Sequence, residues 1–405
     1  MGRWIGRALA LAAFGLGVTT APHRVCARDA ARYLDGDRDA GAPLADAVDA
    51  WTREGLGAAR FHTGAEHYDR EWLFGTYMMG AMGFGQRALA HPERATEEIA
   101  RMERCLDALL SEDAKAFDTS TWDLDPIASL EVAPGSAKDV GHVAYLGYLG
   151  LALELHRLLV PQSRFTKLSD DVATVLARRI ERSPVGFVET FPGATFPVDN
   201  FSALGALGLH ERATGVSHRA ALDKAMAGTR AFAIDRETGL LNQAVRARDG
   251  KLMDVPRGSG TALGSYFISF VDPTLSRQLY VAAKTHLYGT TLGFGAANEY
   301  PATRSGRGDI DSGPIVFGLS VAATGFLLGP ARAHGDRDAF ERMYATTHLF
   351  GLPISRGKTR TFVTGGPIGD AIILAMVTAP TPAALDAAST RAPARTAAAA
   401  TRRGS

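Results

Sequence analysis

The chain has few cysteines and no excess of charge of either sign. Its 405 residues include only two cysteines, Cys26 and Cys105, so a disulfide framework is not expected. Basic residues number 44 and acidic residues 43, a formal net charge of +1, which argues against nucleic acid or an anionic membrane surface as a partner. Motifs typical of zinc catalysis (His-Glu-x-x-His, Cys-x-x-Cys) and of serine hydrolysis (Gly-x-Ser-x-Gly) are also missing. We therefore predict no metal and no cofactor.

The N-terminus has the pattern of an export signal. Arg3 and Arg7 form a basic start, and residues 8–18 are apolar over a stretch too short to span a bilayer comfortably. Small residues follow, which predicts a signal peptide over 1–27 and a periplasmic or secreted protein without stable membrane insertion after cleavage. An uncleaved N-terminal membrane anchor is the alternative.

Two further regions follow the predicted signal. Residues 41–380 are rich in apolar periodicity and predict one large domain, whereas 381–405 lack any apolar period and predict a disordered tail. Cys105 lies on the apolar face of a predicted helix, where it is expected to be buried as a small hydrophobic residue. The sequence leaves open whether the chain forms a homo-oligomer.

Helical periodicity dominates the domain, and two kinds of helix alternate along it. The odd-numbered segments are amphipathic, whereas most even-numbered ones are apolar on all sides and rich in Gly, Ala and Ser, which requires them to be buried. This alternation predicts an all-α fold, an (α/α)6 toroid with a double ring of six inner and six outer helices. The predicted segments are 42–59, 70–90, 93–112, 139–160, 167–182, 199–214, 217–234, 259–270, 273–289, 311–333, 336–350 and 368–378.

The connections indicate where a functional site should lie. Four long loops, 112–138, 183–198, 235–258 and 290–310, lead from outer to inner helices and are rich in Gly, Pro, Asp and Trp. Long ordered loops usually carry function. Because all four would gather where the inner helices begin, we expect the site for a small-molecule substrate at that mouth of the barrel.

Three residues at the predicted mouth are candidates for proton transfer. His142 stands near the start of an inner helix and could act as an acid, base or donor; a hydrogen-bonded core histidine is the alternative. Glu189 and Asp199 bracket a Pro/Gly loop, and two carboxyls at one mouth can divide the roles of acid and base. Asp199 is also a natural helix N-cap.

Five rim residues are candidates for substrate binding. Asp309 and Asp311 combine two carboxylates with a predicted helix start, although helix capping explains them almost as well. Trp122, Asp123 and Asp125 add an aromatic ring and two acids to the same rim, with solvated loop acids as the alternative.

Five short blocks stand in order along the chain: Asp125-Pro-Ile, Gly141-His142, Gly186-Phe-Val-Glu189, Asp199-Asn200-x-Ser202 and Gly308-Asp-Ile-Asp-Ser-Gly313. Together these blocks resemble the linalool dehydratase-isomerase family. The resemblance covers roughly residues 65–350 and implies an exported, cofactor-free (α/α)6 barrel with an active-site histidine at His142. The chain departs from that family where two catalytic cysteines are expected, since Glu189 and Asp199 stand there.

Three functions follow from these patterns. The resemblance implies an acid–base enzyme that dehydrates or isomerises a small alcohol, with Glu189 and Asp199 as the proton-transfer pair and His142 assisting. Rim acids and Trp122 on an exported toroid also fit a carbohydrate-active hydrolase, lyase or epimerase. The missing cysteines also permit a binding protein that lost the chemistry.

Overall fold

The computed structural model describes residues 21–390, together with Ile5 and Gly17. Helices dominate this part of the chain, and short hairpins fill several connections between them. The helices are α1 (21–27), α2 (Ala30–Leu34), α3 (Ala42–Arg53), α4 (Glu66–Ala90), α5 (Ala95–Leu109), α6 (Glu112–Trp122), α7 (Val143–Leu159), α8 (Thr166–Arg182), α9 (Pro197–Thr214), α10 (Arg219–Gly228), α11 (Gly258–Ile268), α12 (Pro273–His286), α13 (Val321–Ala333), α14 (Arg337–Gly351), α15 (Gly366–Val377) and α16 (Pro382–Thr390).

Within this part of the chain, α4, α7, α9, α11, α13 and α15 form a closed inner ring, since each packs against the next and α15 returns to α4. Their small residues allow close approach. A Cβ at Gly147 of α7 would lie 2.5 Å from Ser202 Oγ and 3.1 Å from the Asp199 carbonyl oxygen of α9. A Cβ at Gly205 would lie 2.7 Å from the Phe267 carbonyl oxygen of α11. The predicted toroid is confirmed.

The outer ring consists of α3, α5, α8, α10, α12 and α14, each preceding an inner helix in the chain. Each of these helices buries one apolar stripe against the barrel and exposes its opposite face to solvent. In α8, Val172, Leu176 and Ile180 are buried while Lys167 remains exposed. Cys105 of α5 is fully buried, as predicted.

The strands lie in the connections. One antiparallel sheet has the order β1 (Ala194–Thr195), β2 (Asn242–Arg246), β3 (Leu252–Pro256). The remaining strands form two-stranded antiparallel hairpins, β4 (Tyr288–Thr291) with β5 (Phe294–Ala297), β6 (Ile315–Val316) with β7 (Leu319–Ser320), and β8 (Pro353–Arg356) with β9 (Thr359–Phe362). Strands therefore occupy loops 183–198, 235–258 and 290–310, for which the sequence indicated no alternation.

The inner helix predicted over 311–333 begins ten residues later than expected, at Val321. The backbone has positive φ at Gly313 (63°), Phe317 (52°) and Gly318 (84°), which an α-helix does not allow. Ser320 caps α13 by accepting a hydrogen bond from the N–H of Ala323. Asp309 and Asp311 therefore lie in a turn before the β6–β7 hairpin, and not at a helix start.

The chain ends differ in part from the sequence expectations. Residues 381–390, assigned to a disordered tail, contain α16, whose Leu385 is buried against the barrel. Most of the predicted signal peptide, and residues 391–405, lie outside the described residues, so export stays a prediction. By length and apolar character, no single helix of the described residues could span a membrane. One bent pair, Gly366–Val377 with Pro382–Thr390, meets the same criteria together.

Candidate functional site

Three carboxyl groups gather at the mouth of the barrel. Glu71 lies in the second turn of α4, Asp199 in the first turn of α9, and Asp311 in the turn before β6. All three keep accessible surface although protein surrounds them, which places them on the wall of a deep depression. Acids in such a setting have strongly perturbed titration, a common property of functional sites.

Burial and mutual repulsion raise the pKa of each carboxyl by a different amount. Burial, followed by the charges of Asp311 and Asp199, raises the pKa of Glu71 to about 8. Burial and the neighbouring acids, Asp309 first, raise the pKa of Asp311 to about 7. Burial raises the pKa of Asp199 to only about 6, because two hydroxyl groups stabilise its carboxylate. At neutral pH, Glu71 therefore favours the acid and Asp199 the carboxylate.

Asp199 is oriented by side chains from two other segments. The Tyr148 hydroxyl of α7 donates to Oδ1 over 2.9 Å, and the Thr190 hydroxyl donates to Oδ2 over 2.9 Å. Helix α9 starts at Pro197 after Phe196, and the Asp199 side chain does not cap it. Asp199 is thus held by Tyr148 and Thr190 close to the other two carboxyls, and its role in proton transfer stays a prediction.

Glu71 was missed by the sequence reasoning. Within the described part of the chain its carboxyl forms no hydrogen bond and no ion pair, so it is free for a ligand. A signal did exist, because Glu71 lies between charged Arg70 and apolar Trp72 at the start of an all-apolar helix. The sequence analysis did not consider it, because a single acid near a helix start is common on solvated surfaces.

Asp309 builds the turn that presents Asp311. Its Oδ1 accepts hydrogen bonds from the N–H groups of Asp311 (3.1 Å) and Ser312 (3.0 Å), and its Oδ2 pairs with Arg257. These hydrogen bonds and the nearby guanidinium lower the pKa of Asp309 although burial alone would raise it. Asp309 therefore positions Asp311, which faces the site.

Glu189 is not brought together with Asp199. Its Oε2 accepts a hydrogen bond from the N–H of Gly193 over 2.7 Å, so it closes the tight turn before β1. The φ of Gly193 is 81°, which suits such a turn. The two carboxyls predicted as a pair thus have separate roles in the structure, and Glu71 takes the place next to Asp199.

His142 belongs to a second buried group. It precedes α7 with φ 67°, is 1% exposed, and its Nδ1 lies 2.5 Å from Asp118 Oδ2. The Trp122 ring packs beside it with centroids 5.4 Å apart, over Gly141. Burial raises the pKa of Asp118 despite this partner. The structure thus places His142 and Trp122 with Asp118, in the hydrogen-bonded setting that was the alternative for His142.

The two remaining predicted rim acids lie apart from the three carboxyls. Asp123 is exposed and ends α6 in the left-handed region. Asp125 accepts hydrogen bonds from the N–H groups of Ile127 (2.8 Å) and Ala128 (3.0 Å) and pairs with Lys115 over 2.6 Å, so it stabilises its own loop. In the described residues, no group of three or more His, Cys, Asp or Glu side chains is placed to hold a metal ion.

Comparisons with known proteins identify the fold. No family model and no curated protein matches the sequence. The unsaturated glucuronyl hydrolase of Bacillus sp. GL1 is a similar solved structure, with 13% identity, coverage of 84% of this chain and 96% of that chain, and a TM-score of 0.50. An α-1,6-mannanase, GH76A of Salegentibacter sp. HEL1_6, has 11% identity, coverage of 83% and 98%, and a TM-score of 0.49. At such identities the likeness establishes the toroid alone.

The predicted resemblance to linalool dehydratase-isomerases is wrong. The similar solved structures described above are a glucuronyl hydrolase and a mannanase, and neither is a linalool dehydratase-isomerase. The sequence blocks behind the resemblance lie at helix starts and tight turns, which any toroid of this kind requires. The predicted function, dehydration or isomerisation of a small alcohol by Glu189 and Asp199, was inferred from this resemblance and is wrong as well.

Proposed function

We propose that this protein is a carbohydrate-active enzyme that hydrolyses a glycosidic bond at the barrel mouth, with Glu71 as general acid and Asp199 as general base. The observation that carries the proposal is the set of interacting carboxyls, Glu71, Asp199 and Asp311, whose pKa values lie apart at one depression. Glycoside hydrolysis requires such a pair of carboxyl groups, one protonated and one ionised. The similar structure from Bacillus sp. GL1 is named as an unsaturated glucuronyl hydrolase, which agrees with a carbohydrate substrate.

Each carboxyl has a defined task in this reaction. Glu71 donates its proton to the glycosidic oxygen as the bond from that oxygen to the anomeric carbon breaks. A water molecule attacks the anomeric carbon from the opposite face and gives its proton to Asp199. Both Asp199 oxygens already accept one hydrogen bond, from Tyr148 and Thr190, and each retains a lone pair for that proton. Asp311 repels the ionised form of Glu71 and so helps to keep it protonated.

The test combines a glycan screen with three matched variants. Wild-type protein is incubated with a panel of oligosaccharides and chromogenic glycosides, and released sugar is quantified. We expect Glu71→Gln and Asp199→Asn each to lower kcat by about 10²–10⁴-fold. Glu189→Gln is the matched control, because that carboxyl lies on a turn of the same rim, and it should retain turnover. Loss of activity in Glu189→Gln with retention in the other two would overturn the assignment.

The pH profile gives an independent test of the roles. The ionised base and the protonated acid are both needed, so kcat/KM should follow a bell-shaped curve between about pH 6, from Asp199, and about pH 8, from Glu71. Because the three carboxyls interact, these limits belong to the group as a whole. Glycan binding without any turnover across the panel would favour the binding protein instead.

A further inference from the structure

Acidic side chains predominate at the mouth of the barrel. Glu71, Asp199 and Asp311 line the depression, and Glu299 is buried at the start of α11 close enough to act on Asp311. In the part of the chain that the structure describes, no cationic side chain is seen to act on Glu71 or Asp199, and Arg257 is the cation that acts most strongly on Asp311. Recognition of an anionic ligand at this depression would therefore fall to Arg257.

Arg257 is already occupied by two acids. Its Nη2 donates to Asp254 Oδ2 over 2.5 Å, and its Nη1 pairs with Asp309 Oδ2. The guanidinium also lies over the Tyr300 ring, 5.8 Å from the centroid, and only 13% of the side chain is exposed. These acids bind Nη1 and Nη2, and Nε, which has no partner in the described residues, is buried. Little of the guanidinium is therefore open to a carboxylate of the substrate.

We infer, on the basis of the proposed function, that the substrate is an uncharged glycan and that uronic acid residues are rejected at the reacting position. Placing a substrate carboxylate beside Glu71, Asp199 and Asp311 would bring like charges together without a free cation to compensate them. Asp309 is the specificity-determining residue, because it holds Arg257 away from the ligand while its other oxygen supports the turn that carries Asp311.

The first experiment compares matched substrates. Pairs of p-nitrophenyl glycosides that differ only at C6, where one member has CH2OH and the other a carboxylate, are assayed in the gluco, galacto and manno series as both anomers. The kcat/KM of the neutral member should exceed that of the uronide by about 100-fold or more. The ratio of the two kcat/KM values should fall as added salt screens the charges. A uronide turned over equally well or better overturns the inference, and if Asp199→Asn abolishes that turnover, the proposed function stands.

Binding separates failure of the inference from failure of the proposed function. The same glycosides are titrated into wild-type protein by calorimetry. If no pair is hydrolysed, the proposed hydrolysis fails, and tighter binding of the neutral members still supports the charge preference. Tighter binding of the uronides, or no binding of any neutral member, overturns it.

The role of Asp309 is tested by removing its charge alone. Asp309→Asn keeps a carbonyl oxygen for the Asp311 and Ser312 N–H groups but releases Arg257 from one ion pair. We expect the preference for the neutral glycoside to fall about tenfold, mainly through a lower KM for the uronide. Asp249→Asn is the control, because Asp249 pairs with Arg246 at the β2–β3 turn. An unchanged preference in Asp309→Asn would overturn the role of Asp309.

Discussion

Asp139 and Asp199 are both surrounded by protein in the same barrel, yet they titrate in opposite directions. Asp139, with a fully buried side chain, accepts hydrogen bonds from three arginines of α8. Burial opposes ionisation there, but those hydrogen bonds and one from the Gly135 N–H lower its pKa to about 2. Asp199 has only two neutral hydroxyl partners, and its pKa is raised to about 6. An acid paired with cations serves the fold, whereas an acid without them is available for proton transfer.

The largest effect on stability is expected at the paired acid. Asp139→Ala leaves Arg178, Arg179 and Arg182 without their shared counter-charge, and Arg179 is buried, so the free energy of unfolding should fall by about 3–5 kcal/mol. Asp199→Asn should cause no comparable loss at neutral pH, because the raised pKa of Asp199 means that its ionised form does not stabilise the fold there. Urea denaturation of both variants at neutral pH measures the contrast. Equal losses of stability in the two variants would mean that the arginine partners do not account for the difference between Asp139 and Asp199.

Glu154 is a third buried acid that can be compared with Asp139 and Asp199, and its one side-chain partner is a neutral hydroxyl. It is 1% exposed, the Ser169 hydroxyl donates to Oε1 over 2.8 Å, and Oε2 has no partner in the described residues. Burial raises its pKa to about 8. Glu154→Gln should therefore raise the free energy of unfolding by about 1–2 kcal/mol at pH 8 and have little effect at pH 5. A loss of stability at pH 8 would show that the ionised form is stabilised by its surroundings.

The pH dependence of stability should have opposite signs at the two kinds of site. At Asp139 the folded pKa is lowered, so its contribution is present above about pH 4 and is lost as the pH falls towards 2. At Glu71, Asp199 and Asp311 the folded pKa is raised, so the folded state holds more protons and stability falls as the pH rises from about 4 towards 8. Chemical denaturation across this range measures both trends.

The Asp199→Asn variant tests the predicted fall in stability with rising pH at the barrel mouth. Asp199→Asn should flatten the decline in the free energy of unfolding between about pH 4 and 6. A steeper decline in Asp199→Asn would contradict the assignment of a raised pKa to Asp199.

The smallest effect is expected at Asp123, an exposed acid that has no side-chain partner among the described residues. Asp123 ends α6 with φ 51°, a conformation that favours glycine, so Asp123→Gly should raise the free energy of unfolding by about 0.5 kcal/mol. Thermal unfolding measures the change, with Asp123→Ala as the control that should lose stability. Turnover should not change in Asp123→Gly; a higher KM would support the substrate-binding role that the sequence suggested for Asp123.

Parts of the site were within reach of sequence reasoning and parts were not. Asp199 and Asp311 were predicted as rim residues because they stand where long loops lead into the predicted inner helices, and such loops gather at one end of a toroid. Glu71 was missed because a single acid near the start of a helix resembles any solvated surface residue. Glu189 was assigned to the wrong partner, since nothing in the local sequence shows that Gly193 would turn back and bind its carboxyl.

The sequence by itself determined the double ring, because buried helices must be apolar on all sides and outer helices on one face, and this difference is readable residue by residue. It also determined which end of the barrel carries the long loops. Only the tertiary structure decided which acids meet and which are neutralised. Glu71 and Asp199 are far apart in the chain, and their pKa values depend on burial and on charges brought by other helices. The three arginines that neutralise Asp139 come from α8. Within the described residues, no cationic side chain is seen to neutralise Glu71 or Asp199 in the same way.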